Sequence, residues 1–355
     1  MTPIRRHAVM LAAAAVAVFA PASAATAATA SPATAASPAA ATAAGPGCLP
    51  WTSVQPSTPG NSNNVLASVA VLSSSNVWAA GSYYDITVHQ TRTLIEHWNG
   101  SSWTQLPTPG PSSNASFLTG IAAVSANDIW AVGSYSDDVS DVQQSLILHW
   151  NGTAWKPFKS PNPSSSINFL NGVGGTSARN VWAAGYLNGA AAYQTLVLHW
   201  NGTAWRQVAS PNPNGSAEFN VLNGVAAASA RHAWAVGYFV NDTSDQRVLV
   251  LHWNGTAWKH GASPSRIGSL NGVTAISARD AWAVGYYWEG TANQTLIEHW
   301  NGTRWRHIPS PDPGETANEN ELDGVAASSA ADLWAVGEYT PFNNSVNQTM
   351  ALHRC

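Results

Sequence analysis

The sequence has few basic residues, and this scarcity excludes one class of partner. Lys and Arg number 15, against 19 Asp and Glu. Arg5 and Arg6 lie in an N-terminal leader, so 13 basic residues remain beyond it and the formal charge becomes −6. A surface that binds phosphates needs clustered Lys and Arg. We therefore expect no nucleic acid partner.

Long apolar segments are equally scarce. The one present, Ala8 to Ala20, follows Arg5 and Arg6 and precedes the small residues Ala22-Ser23-Ala24. This order is typical of a cleaved export signal, and the segment is too short for a membrane anchor. Residues 25–47 are nearly all Ala, Thr, Pro and Ser, a composition typical of disorder. We predict a signal peptide at 1–24, a disordered segment at 25–47, no membrane span and a secreted product.

Only two cysteines occur, Cys48 and Cys355, and they bracket the remaining sequence. In an exported protein, two cysteines placed in this way suggest one disulfide. Both are then committed, which argues against a copper-radical oxidase because that chemistry needs a free cysteine.

No segment shows sustained helical periodicity. The sequence instead repeats itself with a period of about 52 residues. Self-similarity at such a period indicates stacked units that cannot bury their apolar faces alone. Three tryptophan phrases mark the repeat. W-A-(V/A)-G begins at Trp78, Trp130, Trp182, Trp234, Trp282 and Trp334. H-W-N-G begins at His97, His149, His199, His252 and His299. A further Trp follows at Trp103, Trp155, Trp205, Trp258 and Trp305.

Each repeat predicts four short strands. In the fifth repeat these are Leu270–Ser277, Ala281–Tyr287, Thr295–Trp300 and Thr303–Ile308, with Asn301-Gly302 as a type I′ hairpin turn. Four strands at this period describe one blade of a β-propeller. The predicted fold is all-β, a six-bladed propeller over residues 48–355.

The last repeat stops before its fourth strand, and the missing strand is found at the other end. Trp51-Thr-Ser-Val54 matches the fourth-strand pattern. We predict that this N-terminal strand completes the last blade, and that a disulfide between Cys48 and Cys355 closes the ring. Inner strands rich in Gly and Ala fit the crowded axis of such a ring.

The repeat resembles kelch repeats. Kelch repeats carry a glycine that ends the second strand, an aromatic-led turn after the third strand and a Trp in the fourth. The corresponding places here are taken by Gly285, His299-Trp-Asn-Gly302 and Trp305. The chain has one glycine where kelch repeats carry two. The resemblance implies a scaffold, and a binding role only by analogy.

Several recurring residues have structural interpretations. The H-W-N-G histidines lie in different blades and cannot converge on one metal ion. The Asn-Gly-Thr triplets form glycosylation sequons, but their place in tight turns explains them without sugar. An Asn or Asp two residues before most W-A-(V/A)-G phrases is typical of a turn that bonds its own backbone.

Binding residues are expected on the face with the long, variable connections, which join second to third strands and fourth strands to the next blade. Most acidic residues also fall there, and such a face attracts cations and basic partners. Trp288 is the one tryptophan outside the blade pattern. With Tyr286, Tyr287 and Glu289 it suits stacking on a sugar ring or anchoring a peptide.

Inner strands begin with Asn171, Asn223, Asn271 and Asp323, which are predicted to ring the channel mouth on the same face. Their oxygens fit Ca²⁺, although capping of strand ends or binding of water explains them equally. No other cofactor is expected.

The leading hypothesis is a secreted, monomeric, non-catalytic protein that binds carbohydrate or an extracellular protein through the long-loop face. One alternative is a calcium-dependent, lactonase-like propeller hydrolase, although no general-base histidine is evident near the mouth. A sialidase would need arginines at the centre, whereas Arg92 and Arg247 lie away from the axis. A structural envelope protein is the third possibility.

Overall fold

Each repeat folds into an antiparallel β-sheet whose strands lie side by side in sequence order. The computed structural model describes residues 55–60, 63–110, 115–137, 142–264, 267–315, 318–341 and 347–354. Within these ranges there are no helices. None of these residues forms a helical segment long and apolar enough to cross a bilayer.

Blade 1 contains β1 (Asn64–Ser73), β2 (Asn76–Asp85), β3 (Gln90–Trp98) and β4 (Trp103–Gln105). Blade 2 contains β5 (Ser116–Ser125), β6 (Asp128–Asp137), β7 (Val142–Trp150) and β8 (Trp155–Phe158). Blade 3 contains β9 (Asn168–Ser177), β10 (Asn180–Asn188), β11 (Tyr193–Trp200) and β12 (Trp205–Gln207).

Blade 4 contains β13 (Asn220–Ser229), β14 (His232–Val240), β15 (Gln246–Trp253) and β16 (Trp258–His260). Blade 5 contains β17 (Gly268–Ser277), β18 (Asp280–Trp288), β19 (Asn293–Trp300) and β20 (Trp305–Ile308). Blade 6 contains β21 (Asn320–Ser329), β22 (Asp332–Tyr339) and β23 (Gln348–Arg354).

The sheets are arranged around an axis as the blades of a six-bladed propeller, which confirms the predicted fold class. The first strands of successive blades pack on one another from β1 to β21, so they are the innermost strands. All described residues belong to one compact unit. The predicted closing strand at Trp51–Val54 and both cysteines lie outside the described residues, so the closing strand and the disulfide stay predictions.

Tryptophans join consecutive blades. The second-strand Trp182 lies 4.9 Å from Trp253 and 5.1 Å from Trp258 of blade 4, measured between ring centroids. Trp130 has the same relation to Trp200 and Trp205 of blade 3. In blade 6 an arginine takes the position of the third-strand Trp. The Arg354 guanidinium lies 4.8 Å from the centroid of the Trp282 ring, a cation–π contact in place of the aromatic pair.

The repeated histidines have a structural partner. In blade 2, Asp128 Oδ1 accepts hydrogen bonds from Trp130 Nε1 at 2.9 Å and His149 Nε2 at 2.8 Å. The Trp130 and His149 rings stack with centroids 4.1 Å apart. Blades 1 and 5 repeat this triad. The Asn or Asp thus fastens the second strand to the third, rather than bonding its own backbone as predicted.

Blade 4 departs from the triad because His232 stands where the other blades have Asn or Asp. Its Nδ1 lies 3.3 Å from Nε2 of His252. Burial, followed by the neighbouring His232, lowers the pKa of His252. A neutral pair of this kind shares one proton between two ring nitrogens, so it replaces the Asp–His contact without a formal charge.

The Asn-Gly-Thr triplets form a four-residue loop, not the predicted two-residue turn. Trp300 pairs with Trp305 across it. Asn301 Oδ1 accepts hydrogen bonds from the Thr303 amide, the Thr303 hydroxyl and the Arg304 amide at 2.8–3.1 Å. Gly302 has φ +92°, which favours glycine. The triplet is therefore explained by loop geometry.

The Ser-Pro-Asn-Pro segments after fourth strands return to their own blade. In blade 3 the Ser210 hydroxyl lies 2.7 Å from the Thr195 hydroxyl, and Asn212 Oδ1 accepts the Thr195 amide proton at 2.8 Å. Blade 5 repeats the contacts with Ser310 and Asp312. The motif therefore fixes the start of each long connection.

Blade 4 has Val248 in place of the hydroxyl residue, and its Ser263 instead donates to Glu298 Oε1 of blade 5 at 2.6 Å. Glu298 is fully buried, and Leu148, Leu198 and Leu251 occupy its place in blades 2, 3 and 4. Burying a carboxylate is costly even with a hydrogen bond.

We therefore expect Glu298→Leu to stabilise the protein by about 1–2 kcal/mol. The measurement is chemical denaturation at neutral pH, with Leu251→Val, a small core deletion, as the reference for a destabilising change. A lower free energy of unfolding in Glu298→Leu would show that the carboxylate makes a net favourable contribution.

The interface between blade 6 and blade 1 differs from the other five. Leu66 and Val69 of β1 are 38% and 60% exposed, whereas their counterparts Leu118 and Ile121 are 2% and 5% exposed. On the opposing side, Val336 of β22 is 44% exposed, and its counterparts Val132, Val236 and Val284 are fully buried. β1 and β22 thus each keep apolar side chains in contact with solvent.

Candidate functional site

One variable position stands beside the axis on the long-loop face. It directly follows the glycine of W-A-(V/A)-G, near the end of each second strand. Blades 1 to 6 have in this position Ser82, Ser134, Tyr186, Tyr238, Tyr286 and Glu338. Each pairs with a residue at the start of the inner strand, for example Tyr186 with Phe169 and Glu338 with Glu321. The position therefore places aromatic rings on one side of the mouth and carboxylates next to them.

Aromatic rings in blades 3 and 4 form a continuous row. The Phe169 and Tyr186 rings are parallel, with centroids 5.3 Å apart. Tyr193 lies 4.8 Å from Tyr186 and 5.2 Å from Phe219, which meets it edge-on. Phe219 is 44% exposed. We call these four residues, together with Tyr238 and Tyr286, the aromatic arc.

Tyr238 and Tyr286 continue the arc into blades 4 and 5. Burial, followed by the nearby Tyr193, raises the pKa of Tyr238. Gln246 Nε2 donates to the Tyr286 hydroxyl oxygen at 2.8 Å. Burial, followed by the charge of Glu321, raises the pKa of Tyr286 to about 12. Both phenols are therefore neutral hydrogen-bond donors at physiological pH.

An acidic cluster adjoins the end of the arc. Burial, then the neighbouring Asp323, raises the pKa of Glu321 to about 7. Asn271 Nδ2 donates to Glu321 Oε1 at 2.9 Å and offsets part of this effect. Partial burial, followed by the charge of Glu338, raises the pKa of Asp323 to about 6. Part of the Asp323 side chain is nevertheless exposed to solvent. Glu321 is therefore partly protonated near neutral pH, and Asp323 becomes protonated in mildly acidic solution.

The predicted mouth residues do not begin their strands, because Asn171, Asn223, Asn271 and Asp323 are each the fourth residue of β9, β13, β17 and β21. The amide nitrogens of the three asparagines already have partners. Asn171 Nδ2 donates to the Leu222 carbonyl at 2.8 Å. Asn223 and Asn271 donate to the Leu270 and Leu322 carbonyls at 3.0 Å. Thr119 Oγ1 does the same to the Leu170 carbonyl at 2.7 Å. These contacts join the inner strands of blades 2 to 5 to the next blade. Asn271 Oδ1 also accepts hydrogen bonds, from Ser269 Oγ at 3.2 Å and Asn223 Nδ2 at 3.3 Å.

Calcium binding by these oxygens stays a prediction. Among the residues that the structure describes, no group of three or more His, Cys, Asp or Glu side chains is arranged to hold a metal ion. A calcium site here would depend on amide oxygens, which are weaker ligands than carboxylates.

The structure does not place the four residues of the predicted loop group on one surface. These residues are Tyr286, Tyr287, Trp288 and Glu289. β18 extends through Trp288, which pairs with Asn293, so Trp288 lies at a strand end rather than inside a loop. Successive residues on a strand point to opposite faces. Tyr287 packs against the core between blades 4 and 5, with its ring edge-on to His307. Tyr286 alone belongs to the aromatic arc, and Glu289 is exposed beyond the strand.

A cleft of about 520 Å³ lies beside β3 and the connection from blade 1 to blade 2, lined by Tyr83, Arg92, Thr93 and residues 105–110 and 116. Arg92 Nε lies 3.1 Å from Asp85 Oδ2. This carboxylate offsets the arginine charge, so the cleft offers little attraction to an anion.

Sequence reasoning missed five of the six arc residues, Phe169, Tyr186, Tyr193, Phe219 and Tyr238. A usable signal was present, since the residue after the repeated glycine changes from Ser to Tyr to Glu around the ring. A position that varies inside an otherwise constant phrase on a rigid scaffold is a candidate for binding.

No protein-family model and no curated protein sequence matches the chain. Several solved structures are similar in backbone. YCF48 bound to D1 peptide is 12% identical, with a TM-score of 0.46 over 82% of this chain and 88% of that one. The SapL1 lectin in complex with alpha methyl fucoside is 15% identical, with a TM-score of 0.46 over 79% and 93%. A mutant of Trypanosoma rangeli sialidase displaying trans-sialidase activity is 13% identical, with a TM-score of 0.48 over 85% of this chain and 57% of that one.

Proposed function

We propose that the chain is a non-catalytic binding protein that recognises carbohydrate on its long-loop face, close to the propeller axis. The observation that supports this proposal is the aromatic arc, which runs from Phe169 in blade 3 to Tyr286 in blade 5 and ends beside Glu321. Binding sites commonly combine apolar ring surface with a few polar groups that fix orientation.

The arrangement suits a sugar for two reasons. The exposed ring edges and faces of Phe219 and Tyr193 offer apolar surface to the C–H face of a pyranose. The end of the arc carries polar groups, namely Glu321, Gln246 and the Tyr286 hydroxyl. These groups can accept hydrogen bonds from the hydroxyls of a sugar and donate hydrogen bonds to them. Hydrogen bonds to a carboxylate are stronger than those between neutral groups.

A binding role is favoured over catalysis because the third-strand histidines are already engaged. His149, His299 and His353 each contact an Asp near the short turns, at the other end of the strands from the mouth. No described histidine is thus placed beside Glu321 as a general base. The proposal includes secretion through the 1–24 leader, a kelch-like repeat closed by a Cys48–Cys355 disulfide, and a monomeric state.

The test is a glycan array followed by calorimetric titration of the best ligand. We expect Phe219→Ala and Tyr193→Ala each to lower affinity about ten-fold, because removing an aromatic anchor typically costs more than about 1 kcal/mol. Trp288→Ala tests whether the ligand surface extends to the end of β18.

The matched control is Tyr84→Ala, a half-buried tyrosine on β2 of blade 1, outside the arc. Thermal unfolding of each variant checks that the fold is retained. Capture of no glycan by the wild type, or an equal loss of affinity in Tyr84→Ala, would contradict a carbohydrate site at the arc.

A further inference from the structure

One basic side chain recurs at the same place on four of the fourth strands. It directly follows the fourth-strand Trp, and the four residues are Lys156, Arg206, Lys259 and Arg306. Each pairs with the third-strand histidine of its own blade. Cross-strand partners lie on the same face of a sheet, so the four charges occupy equivalent positions around blades 2 to 5. Blade 1 has Thr104 in this position.

Three arginines lie against the loops that lead into these fourth strands. Arg179, Arg231 and Arg279 are in the turns between the first and second strands of blades 3 to 5. A Cβ added to Gly202, in the loop after the third strand of blade 3, would lie 2.6 Å from Cγ of Arg179. The loop glycines of blades 4 and 5 have the same relation to the stems of Arg231 and Arg279, at 3.0–3.2 Å. The arginine stems therefore pack on the outer loops of their own blades.

We call these seven residues the basic rim. All seven side chains are exposed, and none forms an ion pair within the described part of the chain. The carboxylates of the nearby turns, Asp128, Asp280 and Asp332, each contact a histidine at 2.8–3.0 Å. Blades 3 and 4 have Asn180 and His232 in place of this Asp. The positive charge of the rim is therefore not offset by neighbouring acids.

Protection of sheet edges explains only part of this pattern. A charge of either sign on a short edge strand discourages pairing between sheets. All four of the fourth-strand charges are positive, and the three arginines lie in turns rather than on an edge strand. A surface of one sign attracts a partner of the opposite sign. Guanidinium groups also bind carboxylates and other oxyanions through paired hydrogen bonds.

The arrangement of the rim selects among negatively charged partners. Duplex nucleic acid is stiff over about 50 nm, much longer than one propeller domain, so it cannot follow charges from blade to blade. Single-stranded nucleic acid binds through base stacking on accessible rings, whereas the tryptophans beside the rim, Trp155, Trp205, Trp258 and Trp305, are buried. A bilayer presents one plane, but the rim extends from the turns to the outer edges of the sheets. A flexible linear polyanion fits these positions best.

We propose that the basic rim binds a flexible anionic polysaccharide, whose acidic groups contact one or two rim residues in each of blades 2 to 5. The rim is near the short turns, so it forms a second surface, separate from the aromatic arc on the long-loop face. The net charge of the chain is −4. Attraction to a polyanion therefore depends on the local charge of the rim and not on the net charge.

The test measures binding of the full chain to immobilised heparin and polygalacturonate, which carry sulfate and carboxylate groups. We expect the wild type to bind both at low ionic strength, and to be released by about 1 M NaCl, where the screening length is about 3 Å. The double variant Arg206→Thr/Arg306→Thr introduces the residue that blade 1 already has in this position. Its affinity should fall at least about ten-fold, because two of the rim charges are lost.

Arg92→Thr/Arg247→Thr is the matched control. It removes the same number of positive charges, but from residues that are each paired with an Asp away from the rim. Its affinity should stay within about two-fold of the wild type, because distant surface charges are largely screened. Phe219→Ala should also bind both polymers as the wild type does, which separates this surface from the aromatic arc. Thermal unfolding of each variant checks that the fold is retained.

Four results would overturn the proposal. The first is a wild type that binds neither heparin nor polygalacturonate at low ionic strength. The second is an equal loss of affinity in Arg92→Thr/Arg247→Thr, and the third is a loss in folded Phe219→Ala, which would place the polymer at the arc. The fourth is tighter binding to duplex DNA or to phosphatidylserine vesicles than to either polysaccharide.

Discussion

Gly237→Ala should strongly destabilise the protein. A Cβ at this position would lie 2.0 Å from the Val221 carbonyl oxygen and 2.9 Å from the Leu222 Cα. Both atoms are backbone of the adjacent inner strand, so no side-chain rotation relieves the overlap. Overpacking of a filled core costs about 1–3 kcal/mol and occasionally more. With two rigid backbone atoms in contact, we expect at least about 3 kcal/mol.

The crowding arises from the bulge in the inner strand. β13 changes register between Leu222 and Gly224, and Gly237 pairs with Leu222 beside this irregularity. The extra residue is Asn223, whose side chain makes the inter-blade bond to Leu270. The glycine of W-A-(V/A)-G therefore accommodates the bulge that holds neighbouring blades together.

Gly261→Ala is the control for this prediction. It lies in the same blade with ordinary φ, and among the described residues an added Cβ would meet only Val250, with the carbonyl oxygen at 3.7 Å and Cγ1 at 3.9 Å. We expect its free energy of unfolding within about 0.5 kcal/mol of the wild type. Guanidinium denaturation followed by tryptophan fluorescence compares the two variants. Equal stability in both would refute the steric explanation.

The repeated tryptophan phrases were sufficient to predict six blades and four strands per blade. Their spacing reports where the core is, because bulky residues recur only where neighbouring sheets pack. Asn171, Asn223 and Asn271 were predicted to begin the inner strands, but each is the fourth residue of its strand, beside the bulge. Their place at a channel mouth stays a prediction. Their partners could not be predicted, because each bond joins residues about 50 positions apart through a bulge.

The aromatic arc was harder to predict, for a physical reason. Tyr186 and Tyr238 lie within regular strands and look like core residues in the sequence. Whether such a ring faces the core or the mouth depends on how far the second strand extends past the neighbouring blade. Trp288 illustrates the converse, since it was assigned to a loop but completes the pairing of β18 with β19.

Trp182→Ala tests the contact that joins one blade to the next. Trp182 is 1% exposed, and its ring lies 4.1 Å from His199 within blade 3 and about 5 Å from two tryptophans of blade 4. Truncation of a buried Trp typically costs about 3–5 kcal/mol, from lost transfer energy and the cavity that remains. We expect a value at the upper end, since rings in both blades lose a partner.

Trp98→Ala is the matched control. Trp98 is half-buried in blade 1, contacts only Trp103 among the aromatic rings that the structure describes, and donates one hydrogen bond to the Ser74 carbonyl. Its loss should cost about 1–2 kcal/mol, mostly from reduced burial. Calorimetric unfolding separates the two, at about 2–4 °C in melting temperature per kcal/mol. A smaller loss in Trp182→Ala than in Trp98→Ala would mean that blades are joined chiefly by their inner-strand hydrogen bonds rather than by the tryptophans.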